Sequence, residues 1–349
     1  MKKIIKHKIL RKFISDILRK IGLDRQSREA VTTGLYEASL RGVDSHGVRL
    51  LDHYVNSALK GRKNPKPKYK IFKPFPAIAV LNADNAFGHA AGMKAIDLCM
   101  KIANSYGIGV VAVKNSSHPG ALASMALKAA RKKYIAFAFT HADSLMLSHN
   151  GKKPYFGTNP ICFAAPRKEK EPFCIDMATS MISWNKLLKF KKEGKILANN
   201  LAADSSGIVT KIPNKARSLL AAGSYKGYAL ASMVEVLCGV YTGMNFGQNI
   251  PPMYTSPINK PRKLGQFYMV IKSNAAISSK TFLDRMQNMT SQVRKQKPRM
   301  KKNKVMMPND PEILNVKKRK KAGIPLDVDT AKKLKILSNK FKINLKFLN

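Results

Sequence analysis

The chain has 349 residues, enough for one large or two modest domains with a buried core of their own. Hydrophobic residues make up 44%, and the most apolar stretch, Tyr228 to Met244, carries Glu235 and two glycines and falls short of a spanning helix. Sixty-four Lys+Arg against 20 Asp+Glu give a formal charge of +44, a field that draws acidic partners, and with no signal-like leader the composition excludes a membrane protein, a secreted disulfide knot and a fibre.

The lysines run from Lys2 to Lys346 rather than gathering on one segment, as an AT-rich genome would write onto any fold. The basic, amphipathic run Lys2–Arg19 resembles a transit peptide, but it contains Asp16 and continues into helical spacing, so it reads as a folded helix. Cys99, Cys162, Cys174 and Cys238 lie far apart without a CxxC pair, which predicts buried free thiols in a reducing, cytoplasmic setting and no structural metal.

In chain order, Leu10, Phe13, Ile14, Ile17, Leu18 and Ile21 follow helical spacing, with Gly22 where a terminating glycine belongs. Asp24 or Ser27 can cap a second helix that buries Val31, Leu35 and Ala38 and stops at Gly42. Asp44 or Ser45 can cap a third, carrying Leu51, Tyr54, Val55 and Ala58 to Gly61. The Lys-Pro stretch from Asn64 to Pro76 reads as a connector. Short apolar runs then alternate with helical patterns at Ala77–Leu81, Ile108–Val113, Tyr134–Thr140, Ile161–Ala165 and Phe267–Ile271. Gln292 to Lys304 reads as a basic loop, and helix returns from about Thr330 to Phe341. The pattern predicts a mixed α/β (α+β) fold: a helical layer from residues 1–72 and 285–349 around an α/β body of residues 73–284.

Four segments carry chemistry. The chain lacks both GxxxxGK[ST] and a strand-born GxGxxG with an acidic partner, so any dinucleotide is held without the Rossmann fingerprint. In Arg41-Gly-Val-Asp-Ser-His-Gly-Val-Arg49, two glycines bracket a turn that presents Ser45 and His46, with Arg49 expected one helical step away. Imidazole, hydroxyl and guanidinium together suit a 2-oxo carboxylate, although a capping turn gives the same spacing. Lys114-Asn-Ser-Ser-His-Pro-Gly120 places His118 at a strand end. Gly157-Thr-Asn-Pro160 and Phe173 to Ser180 offer Thr158, Asn159, Thr179 and Ser180 for ribose, amide or phosphate recognition, and Lys226 opens a helix. Tyr54 extends the His46 face, either packed or touching substrate. Lys317–Lys321 reads as a solvated face, or as a partner for nucleic acid or a 2′-phosphate.

RGVDSHGVRLL, NSSHPGA, GTNPICFAAP, IDMATS, SYKGYAL, KLGQFYMVI and AGIPL occur in one order from about Leu10 to beyond Leu326, and together the chain resembles the malate/L-lactate dehydrogenase family. The resemblance implies a non-Rossmann NAD(P)-binding α/β fold, an intertwined homodimer, and interconversion of small 2-oxo and 2-hydroxy acids with NAD or NADP. It implies proton transfer by a histidine at the position of His118 or His46; the residues themselves add Ser45, Arg49, Tyr54 and Thr158 as substrate contacts. It also implies cofactor contacts at Asp176, Met177, Ala178 and Thr179, at Lys226, and at the turn Pro308-Asn309-Asp310. The chain departs from the pattern at Asn309, where glycine is usual, at Ala142, where some members carry serine, and at Asn185, where glycine is common. Two other readings stand beside this one: a basic nucleic-acid-binding protein, and an inactive relative that keeps the fold.

Overall fold

The computed structural model describes residues 3–169 and 171–348, and it is a mixed α/β fold. Helices α1 (His7–Lys20) and α2 (Arg25–Arg41) open the chain, and the ends of α2 follow the side chains the sequence offers. The Asp24 carboxylate caps α2 by accepting the Ser27 N–H at 2.8 Å, and Gly42 ends it in the left-handed conformation, φ +87°. Helix α3 spans Leu51–Leu59.

The centre of the molecule is a seven-stranded sheet. Its order is Lys70–Phe75, Ile78–Asn82, Ile108–Ser116, Leu264–Lys272, Tyr134–Thr140, Ile161–Ala165, Phe173–Met177. Ile78–Asn82 runs parallel to Ile108–Ser116, and the crossover this demands is helix α4 (Gly88–Tyr106); the other five neighbouring pairs are antiparallel. Residues alternate across the sheet with a period of two. Val111, Val113, Ala136, Ala138, Cys162, Tyr268 and Val270 join the large core, over which α4 and α5 (Ala123–Ala130) pack, with α2 crossing α4 outside them. On the opposite face Phe137, Phe139, Ile161 and Phe267 pack with Val234 and Cys238 from α7 (Tyr225–Glu235) and the π-helical turn that continues it. All four cysteines are buried and free.

Two smaller units complete the fold. The strand Lys3–Ile5 pairs antiparallel with Ile324–Leu326, which brings the two ends of the chain together beside α1 and α10 (Val328–Phe341). Short strands at Met146–Leu147, Pro154–Phe156, Ala202–Ala203 and Ser218–Leu219 form a second sheet next to α6 (Trp184–Glu193). No helix of the described residues is long and apolar enough to cross a membrane.

The structure differs from the sequence expectation at four places. Residues 70–75 of the expected connector form an edge strand, and every one of them is exposed; Pro74 is tolerated because an edge strand needs only half of its backbone groups paired. Phe173–Met177, the start of the expected recognition segment, is a strand, the opposite edge of the sheet. The third helix does not begin at Asp44: Asp44–His46 and Val48–Leu50 are separate 3-10 turns, broken by an extended Gly47. In addition, α8 (Ser279–Arg294) absorbs the start of the expected basic loop.

Gly88 opens α4 directly beneath the loop that carries His118. A Cβ at Gly88 would collide with the Ser117 carbonyl and the backbone of His118 and Pro119. Gly88→Ala is therefore expected to cost about 3 kcal/mol in chemical denaturation. Gly107→Ala, at an open position with φ +75°, is expected to cost about 1 kcal/mol.

Candidate active site

Two segments distant in sequence meet at one cleft. The strand Ile108–Ser116 ends in Ser117, whose hydroxyl accepts the Gly88 N–H and donates to the Ala86 carbonyl, both at 2.9 Å. This double anchor sets the following turn, His118-Pro119-Gly120, against α4. From the other side, Ser39 on α2 accepts the Val48 N–H at 2.9 Å and donates to the Leu35 carbonyl at 2.8 Å, which pins the two 3-10 turns to α2. As a result the rings of His46 and His118 stack with centroids 5.6 Å apart and planes at 28°. Ser45 Oγ lies 2.9 Å from His46 Nδ1, and Tyr54 Oη lies 2.8 Å from His118 Nδ1. Both imidazoles are thus held through Nδ1, which leaves Nε2 as the reactive nitrogen of each.

The cleft has a volume of about 730 Å³ and is lined by Ser45, His46, His118 and Thr158, with Asp176, Met177 and Ala178 along the sheet edge. It continues into a cavity of about 520 Å³ through shared Val43, Ala121, Asp176 and Met177, and that cavity reaches Pro308 and Asn309. Asn309 adopts φ +81°, so the turn keeps the left-handed geometry glycine would supply. Its side chain is engaged, accepting from Arg41 and donating to the Pro172 carbonyl at 2.7 Å, so its outward-facing group is backbone. The two cavities of this trough share Asp176, whose carboxylate accepts the Ala123 N–H at 2.8 Å, and the small residues Gly120, Ala121 and Ala178 along the lining leave room for a flat ring. These features fit a nicotinamide dinucleotide. Among the described residues no group of three His, Cys, Asp or Glu side chains could hold a metal ion.

The remaining predicted residues lie around this trough. Tyr54 is fully buried behind His118, and Thr179 is buried with its hydroxyl donating to the Thr158 carbonyl at 3.0 Å. Lys226 begins α7 and lines none of the three adjoining cavities. Asp310 accepts from Arg294 at 2.6 Å; burial opposes its ionisation, but that guanidinium and the Met307 N–H hold its pKa below the usual value. Arg49 does not share a helical face with His46, because Gly47 intervenes. It lines a neighbouring cavity of about 630 Å³ that meets the cleft along Ser45, Asn185 and Lys186. Asn185 builds that partition, donating to the Ser45 carbonyl and accepting from Tyr254 Oη, each at 3.2 Å.

The far wall was not legible in the sequence. Residues 251–262 form an irregular segment that places Met253, Tyr254 and Arg262 on the cleft. Arg262 is 3% exposed and pairs with Asp143, which also lines the cleft. Arg62, fully buried, donates to the carbonyls of Met253 at 2.8 Å, Ser256 at 3.0 Å and Pro257 at 2.7 Å. The two arginines hold the wall from beneath. A 119-residue separation between Arg262 and Asp143 leaves no local pattern to read.

The site is cationic. Burial, then Arg49, pushes the His46 pKa down to about 4. Burial, followed by His46, Arg262, His89 and Lys63, holds His118 well below 6.5. His53 and His89 are likewise pushed down to about 3. Both imidazoles on the cleft are thereby held toward the neutral form.

The model of the malate/L-lactate dehydrogenase family matches residues 5–335. The chain is 31% identical to ureidoglycolate dehydrogenase (NAD(+)) of Escherichia coli over 322 residues, 92% of each chain. It is 32% identical to malate dehydrogenase of Pyrococcus abyssi over 324 residues, 90% of this chain and 88% of that protein. The malate dehydrogenase structure from Entamoeba histolytica superposes with a TM-score of 0.93 at 26% identity, covering 99% and 100% of the two chains. The sulfolactate dehydrogenase structure from Methanocaldococcus jannaschii superposes with a TM-score of 0.90 at 29% identity, covering 98% of each.

Arg262→Leu leaves Asp143 as an unpaired carboxylate and is expected to lower the unfolding free energy by about 3–5 kcal/mol in urea titrations. Pairing it with Asp143→Leu removes the stranded charge and is expected to recover at least half of the loss.

Proposed function

The chain belongs to the malate/L-lactate dehydrogenase family, and on that premise we propose that it is an NAD(P)-dependent oxidoreductase interconverting a small 2-hydroxy acid and its 2-oxo acid. The observation that carries this reading is the stacked pair His46 and His118, neutral and oriented through Nδ1, at the mouth of a trough that fits a dinucleotide. Asp176, Met177 and Ala178, with the backbone of Pro308 and Asn309, would hold the cofactor; Thr179 supports them from beneath. Lys226 and Asp310 are the most distant members of the set, and Lys226 needs a cofactor end that extends beyond the trough. The bound nicotinamide supplies the hydride acceptor or donor at substrate C2.

The chain's own groups do the rest. His118 Nε2, or His46 Nε2 beside it, takes the hydroxyl proton in oxidation and returns it in reduction. The substrate carboxylate is drawn by Arg262 in the wall and Arg49 behind the Ser45 partition, while Ser45 and Thr158 orient the carbon that reacts. An incoming carboxylate also offsets the surrounding cations and raises the imidazole pKa, so a proton enters with the 2-oxo acid. Segments 1–72 and 285–349 would form the substrate and dimerisation layer around the 73–284 cofactor body. A homodimer would cover the apolar stripe of Tyr225, Val236, Val240 and Tyr241, each more than half exposed. We place the enzyme in the cytoplasm.

An NADH and NADPH oxidation screen over a panel of 2-oxo acids tests the reading; turnover of none of them, with either cofactor, overturns it. His46→Ala and His118→Ala are each expected to lower turnover at least ~100-fold in folded protein, and wild-type rates in either variant remove that histidine from the mechanism. A depressed imidazole pKa also has a signed consequence. The base is already deprotonated well below 6.5, so kcat/KM for 2-hydroxy acid oxidation should stay level from pH 8 to about pH 6 and fall only as the medium approaches the His46 value of about 4. A limb centred near pH 7 would show that the site does not depress the catalytic imidazole.

A further inference from the structure

Lys63 follows α3 in the turn that Gly61, at φ +82°, makes possible. The residue is 3% exposed. The charges nearest its ammonium are those of Arg62 and Arg262, both cationic, and burial with those two neighbours holds its pKa well below the ordinary lysine value. Its contacts are aromatic: Nζ lies 3.7 Å from the centroid of the Tyr54 ring and 5.0 Å from that of Phe87. Tyr54 is the residue whose hydroxyl reaches His118 Nδ1 at 2.8 Å.

A buried ammonium beside two guanidinium groups is costly, and a methylene-rich or apolar side chain would fill the same space without that cost. The side chain is charged only where its lowered pKa leaves it protonated, so its role is read from where its nitrogen sits, on the face of Tyr54. We propose that Lys63 is a positioning residue for proton transfer at His118 and acts through Tyr54. This rests on the reading of His118 as a proton-transferring group.

Two effects follow from the geometry. When protonated, the nitrogen on the π face fixes the Tyr54 ring, since a cation over an aromatic face is attracted by the ring quadrupole, and this keeps Oη on Nδ1. With Nδ1 occupied, Nε2 is directed to the cleft. Second, the positive charge opposes imidazolium at His118, in concert with Arg262 and with His46 and His89 on the other elements packed there. The carboxylate of Asp143 is engaged by Arg262. His53, which also feels Lys63, Arg62 and Arg262, stands on the far side of Tyr54, with ring centroids 6.2 Å apart. His89 meets the Tyr54 ring edge-on at 5.6 Å, completing the enclosure.

The test uses full-length Lys63→Met, which fills the volume without charge, and Lys63→Arg, which keeps the charge. In Lys63→Met, kcat for 2-oxo acid reduction is expected to fall about tenfold through lost orientation. The ionisation limb of kcat/KM is expected to move up by roughly half a unit to one unit, as for removal of one charge about 10 Å away. Lys63→Arg should keep the limb at the wild-type position. In a Tyr54→Phe background the kcat effect of Lys63→Met should disappear, because the hydroxyl it positions is gone. Equal limbs and equal kcat in wild type and Lys63→Met, or a tenfold fall that persists in Tyr54→Phe, overturn the proposal.

A second readout separates this proposal from the functional reading it rests on. The C2–H resonance of His118, identified by its loss in His118→Gln, is titrated by NMR in wild type and in Lys63→Met. A higher midpoint in Lys63→Met supports the coupling even if no 2-oxo acid is turned over, an outcome that would overturn only the dehydrogenase reading. Identical midpoints overturn the coupling whatever the activity.

Discussion

The hydrogen bond between Tyr54 and His118 joins helix α3 to the end of a central strand at the cleft. Tyr54 belongs to a helix of the N-terminal layer, and His118 belongs to the turn at the end of a central strand. Neither segment alone makes a cleft. The strand end is set by Ser117 and Gly88, the helical layer by Ser39 and the break at Gly47, and the phenol–imidazole contact fixes the one relative to the other. His46 then has only one place to go, face to face with His118.

That contact is bought with desolvation. Tyr54, Lys63, His89 and Arg62 are all buried around it, and Asp143 is the carboxylate that reaches into the group. Charge of one sign gathered in a low-dielectric space is unfavourable in the free protein and becomes favourable when an anion enters. The proposed recognition of a carboxylate and the lowered pKa of the histidines would thus have the same origin.

Much of the framework was visible in one dimension because its signals are local. Asp24 and Gly42 bound α2 as their chemistry requires, and Tyr134–Thr140 and Ile161–Ala165 are strands from end to end. Ser45, His46, His118 and Thr158, along with Asp176 to Ala178, reach one cleft from four separate motifs. What could not be read depends on distance or on a single backbone angle. The extended Gly47 puts Arg49 in a separate turn from His46 and on a neighbouring cavity, a change no periodicity announces. Arg62, Lys63 and Arg262 look like three more lysines and arginines in a chain full of them, and only the fold distinguishes these from the solvated majority.

The exposed border strand Lys70–Phe75 also bears on how the molecule behaves in a crowd. Ile71, Phe72 and Phe75 point unpaired apolar surface at solvent beside a free row of backbone groups, an invitation to fibrillar stacking. Lys70 and Lys73 sit among them, and Pro74 withholds one donor. Two molecules meeting along this rim bring four ammonium groups within one Debye length at low ionic strength. The large surplus of lysine thus acts as a colloidal guard, and it weakens as electrolyte is added.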